Sequence, residues 1–161
     1  MRTVCVPVGG GGLISGVAAA VKLTDPGIRV VGVEPAGAPK MSQSLAAGAP
    51  VTLSRVESIA DGLLAVRPGD LNFMHAQAFV DEVVTVSEDA IVAAARALWD
   101  TARIAIEPSG ATSVAGALSR LERWAPEGPV VAILSGGNVS LSVLAELLAD
   151  EPARPARTQA L

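Results

Sequence analysis

Apolar residues in this chain fall into short unbroken runs separated by stretches of helical composition. Thr3–Val8 (TVCVPV), Arg29–Val33 (RVVGV), Glu82–Val86 (EVVTV) and Pro129–Leu134 (PVVAIL) each read as a strand rich in β-branched residues. A strand that is apolar at successive positions buries both of its faces, as in a parallel sheet covered by helices on either side. The intervening segments predict helices over Leu13–Leu23, around Lys40–Ala47, over Leu71–Val80, from Ser87 to about Ala102, from Ala111 to about Trp124, and over Ser140–Leu148. Ser87 supplies an N-cap, Glu88 and Asp89 an acidic first turn, and Lys22 a cation for a last turn. Val51–Pro68 follows neither period and has Ile59-Ala60-Asp61-Gly62 as its turn-like centre. Glu151–Leu161 reads as a frayed tail. The expected fold is α/β, an open, mainly parallel sheet with helices on both faces. It spans residues 3–149, with 150–161 as a flexible tail.

In such sheets ligands sit beyond the carboxyl ends of the strands. Two strands here run into glycine-rich turns that open helices, at Gly9–Gly12 and at Ser135–Asn138, and both turns belong at the same sheet edge. Four consecutive glycines cost roughly 0.5–1 kcal/mol each in chain freedom relative to alanine, so a plain turn rarely needs them all. Their bare N–H groups, at the positive end of the Leu13 helix, form a cradle for a phosphate. The run does not fit the P-loop, because Val17-Ala18 follows Gly16, nor the GxGxxG dinucleotide spacing. Ser135-Gly136-Gly137-Asn138 has two readings. It is a glycine turn satisfied by its own Ser and Asn, or it presents the Ser135 hydroxyl to a ligand.

Composition narrows the function. Of 161 residues only two are Phe, two Trp and none Tyr, and the net charge is −4. Stacking platforms and a basic face are both missing, which argues against a nucleic-acid partner. Cys5 is the only cysteine and His75 the only histidine, so neither a thiolate cage nor a histidine-rich metal site is available. Cys5 lies in a predicted buried strand and is expected to be inert; His75 is expected to be structural. No signal peptide opens the chain, and the uncharged stretch Thr3–Val21 is broken by Pro7 and its glycines. A cytoplasmic location with no membrane partner is expected. The mean hydropathy of +0.48 is high, and the first strand begins almost at Met1. Both features are expected of a piece of a larger protein, and the hydropathy also of a homo-oligomer.

PVGGGGLISG, VVGVEP, SIADGL, IEPSGA and VAILSGGN, in that order and spacing, resemble the later half of fold-type II pyridoxal-phosphate enzymes. These share the tryptophan synthase β-like fold, and the similarity is to their serine/threonine dehydratase and serine racemase branch. It covers residues 3 to 148. The resemblance implies pyridoxal 5'-phosphate as cofactor, with its phosphate on Gly9, Gly10, Gly11, Gly12 and the Leu13 amide. It also implies Gly62 beside the ring, Ser135 facing the pyridine nitrogen and Glu107 near the cofactor. An uncharged hydroxyl at that nitrogen makes the ring a moderate electron sink, suited to removing an α-proton and expelling a β-hydroxyl. The implied activity is β-elimination from serine or threonine to ammonia and a 2-oxo acid. Alternatives are a racemase fragment and a non-catalytic module that binds phosphate ligands or partners.

The sequence also departs from that family. The family lysine that bonds the cofactor as a Schiff base, in an upstream Ser-Phe-Lys motif, has no counterpart here, and the substrate-gripping Ser-x-Gly-Asn-His-Gly segment is absent too. The small domain and amino-terminal segment are therefore expected to be missing, no catalytic residue is assigned, and the chain alone is expected to be inactive. The lysines are Lys22 and Lys40, each expected to be a solvated charge. The family's cation segment, Glu-Pro-x-x-Ala-x-Asp, here ends in Lys40. No metal is therefore expected, and Lys40 offers Glu34 an internal positive charge instead. Asp61 and Glu107 remain an acid/base pair only in composition, since spacing does not bring them together.

Overall fold

The computed structural model describes residues 1–149 and 158–160. In chain order its elements begin with β1 (Thr3–Pro7), α1 (Gly12–Thr24), β2 (Arg29–Pro35), α2 (Lys40–Ala47), β3 (Arg55–Glu57) and α3 (Asp70–Phe79). They continue with β4 (Glu82–Val86), α4 (Glu88–Ala102), α5 (Pro108–Ser119), α6 (Leu121–Trp124), β5 (Val130–Ala132), α7 (Leu141–Leu148) and β6 (Thr158–Ala160). Short 3-10 turns cover Asp61–Leu63 and Ala125–Glu127.

Strands β4-β2-β1-β5 lie side by side in that order, all parallel. Alternate residues of a strand point to opposite faces, and here both sets are apolar. Cys5, Val31, Val33, Val84 and Val86 pack against Ile91 and Ala94 of α4, Ala111 and Ala115 of α5, and Trp124. Val4, Val6, Val8 and Val30 pack on the other side against Ile14 and Ala18 of α1, Phe73 and Ala76 of α3, and Met41 of α2. Each fully buried Val or Ile contributes roughly 1.5–3 kcal/mol, so two mainly aliphatic layers, with Trp124 in one and Phe73 in the other, hold the fold. Among the described residues no helix is long and apolar enough to cross a membrane.

Several expectations shift in detail. The helix expected from Ala111 starts at Pro108, because proline is pre-organised for the first helical position and Glu107 is extended ahead of it. That helix ends at Ser119, since Arg120 leaves helical geometry before α6 begins. β5 is expected to be buried on both faces, but it is an edge strand with Val131 40% exposed. The stretch read as irregular contains β3, which pairs antiparallel with β6. Of the expected tail, residues 150–157 and 161 lie outside the described residues. The expected solvated role holds only in part for Lys22, whose side chain is 16% exposed and whose ammonium meets the Asp81 carboxylate at 2.7 Å. It fails for Lys40, which is 0% exposed and paired with an equally buried Glu34. Burying an unpaired ammonium is prohibitive, and pairing makes it tolerable.

Candidate functional site

The strand order sets the position of the site. From β1 the chain steps outward to β2 and then β4, and later returns to the opposite side of β1 as β5. The order therefore reverses between β1 and β5, the point at which such sheets bind ligands beyond their carboxyl ends. Gly9–Gly12 leaves β1 and Ser135–Asn138 follows β5 at those ends, with the two strands in register from Thr3 opposite Val130 to Cys5 opposite Ala132.

The glycine run is held from behind. The Gly10 carbonyl accepts from Gly69 N at 3.1 Å and from Asn72 Nδ2 at 2.9 Å. Ser15 Oγ in turn donates to the Asn72 carbonyl at 3.0 Å. Gly11 is the N-cap of α1 with φ +93°, and a methyl group added there would meet Met41 Cε at 2.7 Å and Asn72 Cβ at 3.0 Å. Only glycine fits that left-handed, crowded position. With its carbonyls drawn back, the loop leaves its amides open. Among the described residues nothing accepts from the N–H groups of Gly9, Gly10, Gly11, Gly12 or Leu13. No side chain caps α1, and no acidic residue stands in its first turn. Five successive free amides at a helix N-terminus form a site for a dianion.

Gly62 lies against this loop. A methyl group on Gly9 would come within 3.1 Å of the Gly62 carbonyl, and one on Gly62 within 2.9 Å of Ser109 Oγ and 3.8 Å of Glu107 Oε1. The Gly62 amide donates to Ser109 Oγ at 3.0 Å and to Asp61 Oδ1 at 2.8 Å. Glu107 also crowds Gly136, so its carboxylate stands between the Asp61–Leu63 turn and the turn after β5. The start of α5 supports that second turn. Ser113 Oγ donates to the Ile133 carbonyl at 2.7 Å, and Gly110 leaves room for the carbonyls of Ser135 and Gly136. Among the described residues the half-buried Ser135 hydroxyl has no hydrogen-bond partner. The self-satisfied reading of this turn therefore loses its hydrogen bond, and the hydroxyl is free for a ligand.

The glycine loop, the Gly62 turn, the start of α5 and the turn after β5 adjoin one another, in a cradle where a Cβ at Gly9, Gly11 or Gly62 would intrude. Free amides for a phosphate, glycine surfaces for a flat ring and an uncharged hydroxyl fit pyridoxal phosphate. Sequence reasoning missed Asn72 and Ser109. Asn72 carries no recognisable signal, whereas Ser109 stands inside the IEPSGA motif. His75 is half-buried, with its ring against the Leu71 carbonyl and Phe79. Burial, with a smaller contribution from the Glu82 charge, pushes the Cys5 thiol up to about 12. It stays protonated and unreactive, as its strand position predicts.

A family model for pyridoxal-phosphate dependent enzymes matches residues 1–136. The chain belongs to that family. Members of the family depend on pyridoxal phosphate. A serine racemase from Oryza sativa subsp. indica is 44% identical over 150 residues, which are 91% of this chain and 44% of the relative. A threonine dehydratase from Nicotiana attenuata is 43% identical over 145 residues, 89% of this chain and 24% of the relative. Among solved structures, the processed form of threonine deaminase isoform 2 from Solanum lycopersicum superposes with a TM-score of 0.86 at 39% identity. That match covers 91% of this chain and 41% of the tomato protein. Maize serine racemase gives a TM-score of 0.82 at 43% identity, over 89% and 44% of the two chains. This family member therefore spans half the length of the relatives it matches, or less.

Proposed function

We propose that this chain is the later portion of the cofactor-binding domain of a serine/threonine dehydratase, over residues 3–149. The observation that carries the reading is the run of free amides from Gly9 to Leu13 at the same sheet edge as the unpartnered Ser135 hydroxyl, in a member of this family. When bound, pyridoxal phosphate would supply an electron sink that lets serine or threonine lose its α-proton and β-hydroxyl as water, and hydrolysis of the released imine by water then gives ammonia and a 2-oxo acid.

The chain's own residues bind and orient. The amides of Gly9 to Leu13 hold the phosphate, where α1 adds the positive end of its dipole. Gly62, without a side chain, lets the ring lie close to the backbone. The Ser135 hydroxyl meets the ring nitrogen as a neutral hydrogen-bonding group and, unlike a carboxylate, does not stabilise a positive charge there. Glu107 flanks the ring between the two turns. Neither lysine serves as the covalent anchor, since Lys22 is paired with Asp81 and Lys40 is enclosed by backbone carbonyls. In this reading the anchor and the substrate-carboxylate site are supplied by an amino-terminal half like that of the relatives. The open outer edge of β5, beside Val131 and Leu134, supports its docking there.

The test mixes the purified chain with pyridoxal phosphate, alone and with the amino-terminal half of a relative such as the rice serine racemase. The chain alone is expected to bind the cofactor weakly, without a covalent absorbance band. Addition of the other half is expected to produce the band and release 2-oxo acid from threonine or serine. Inversion of serine without 2-oxo acid would favour the racemase reading, and cofactor binding without either product the non-catalytic module.

A further inference from the structure

The Lys40 ammonium is wholly enclosed, and its surroundings are specific. Nζ donates to the carbonyls of Val8 at 2.7 Å, Leu63 at 3.0 Å and Ala38 at 3.1 Å, and stands 3.3 Å from Glu34 Oε1. Three protons meet three carbonyls, and a carboxylate balances the charge. Glu34 is itself held, accepting from Met41 N at 2.8 Å and from Ser42 N and Oγ at 2.9 Å. Its carboxylate thus completes the open first turn of α2, where negative charge is favoured. No donor or acceptor of the pair is wasted.

The carbonyls come from three separate segments. Val8 immediately precedes the glycine run, Leu63 closes the turn that contains Gly62, and Ala38 follows β2. Met41, next to Lys40, lies directly under Gly11. A buried ion pair gains little over well-packed apolar side chains, so stability alone does not account for a lysine at this junction. Three carbonyls and a carboxylate around one point are also the oxygen set that a hard metal cation takes. Here the chain supplies the cation covalently.

We propose that Lys40 is a positioning residue, a built-in cation that ties the base of the Gly9–Gly12 loop to the Asp61–Leu63 turn so that the two walls of the site hold one spacing. Its effect on ligand affinity rests on the cofactor reading above, whereas the coupling of the two loops does not.

The test uses the full chain and two readouts. Lys40→Met leaves Glu34 buried and unpaired and is expected to destabilise strongly, so the deciding variant is Glu34→Gln/Lys40→Met, which removes both charges together. Hydrogen exchange without ligand is expected to accelerate at least tenfold in residues 9–13 and 61–64 together, with α4 and α5 unchanged. Affinity for pyridoxal phosphate is expected to fall at least tenfold in the same variant. In Lys40→Ala, added propylammonium is expected to slow exchange in both loops again, while magnesium leaves the wild-type melting temperature unchanged. Exchange that rises in α2 alone, or in one loop without the other, overturns the tether, as does failure of propylammonium to restore either loop in a Lys40→Ala chain whose α4 and α5 still exchange at the wild-type rate. Failure of the wild-type chain to bind pyridoxal phosphate would count against the cofactor reading and leave the exchange result to decide the tether.

Discussion

Helices α1 and α4 both leave the carboxyl end of a strand in the same sheet, yet their first turns are built in opposite ways. α4 opens on Ser87, whose Oγ accepts from Ala90 N at 3.2 Å, with Glu88 and Asp89 beside the positive end of the dipole. Its Ala90 amide is thus answered from within the chain. Glu88 also reaches out, accepting from Ser58 Oγ at 3.0 Å and Ile59 N at 2.8 Å, and so steadies the segment leading to Gly62. α1 opens on a left-handed Gly11 with no side-chain cap and no acid. Whatever answers its amides must come from outside. A capped start satisfies part of its own hydrogen bonding, whereas an uncapped one leaves it to water or a ligand at a cost in stability.

The sharpest way to break this contrast is Gly11→Ala. The left-handed conformation costs a side chain about 1–2 kcal/mol, and the added methyl also meets Met41 Cε at 2.7 Å. Denaturant unfolding is expected to show at least that loss, and fluorescence titration more than tenfold weaker binding of pyridoxal phosphate. Normal affinity in this variant would remove the glycine loop from the site. Next in size is Ser87→Ala, which deletes the α4 cap and is expected to cost about 1 kcal/mol. Its affinity for the cofactor should stay within twofold of wild type, and a larger fall would tie α4 to the ligand directly. The smallest effect distinguishes the two starts most finely. Gly12 is exposed in the first turn of α1, and a methyl group there has only Asn72 Nδ2 near it, at 4.0 Å. Gly12→Ala is expected to raise stability by roughly 0.5–1 kcal/mol while weakening cofactor binding. A gain in stability with unchanged binding would mean that the fourth glycine is merely a poor helix former.

Much of this protein was legible in one dimension. Unbroken runs such as TVCVPV and RVVGV announce strands buried on both faces, because a side-chain period of two leaves no polar face to solvent. The glycine run and the SGGN turn announce the site edge, since a strand that ends in glycine and opens a helix bares its amides. Local rules reach that far because they depend on neighbours in the chain. Other features depended on residues far apart in sequence. The three-residue β3 lacks any period of its own and exists through its pairing with β6. The edge position of β5 follows from strand order, which no local pattern encodes. Asn72 supports the glycine loop from 62 positions away. Lys40 shows the division most plainly. A lone lysine after a strand reads as a solvated charge, because burial is unfavourable for an ammonium by itself. Only when folding brings the carbonyls of Val8, Ala38 and Leu63 and the carboxylate of Glu34 to one point does burial become tolerable. The sequence supplied the charges and the strands; the tertiary structure decided which charge leaves water, because desolvation is offset only by partners that the fold itself assembles.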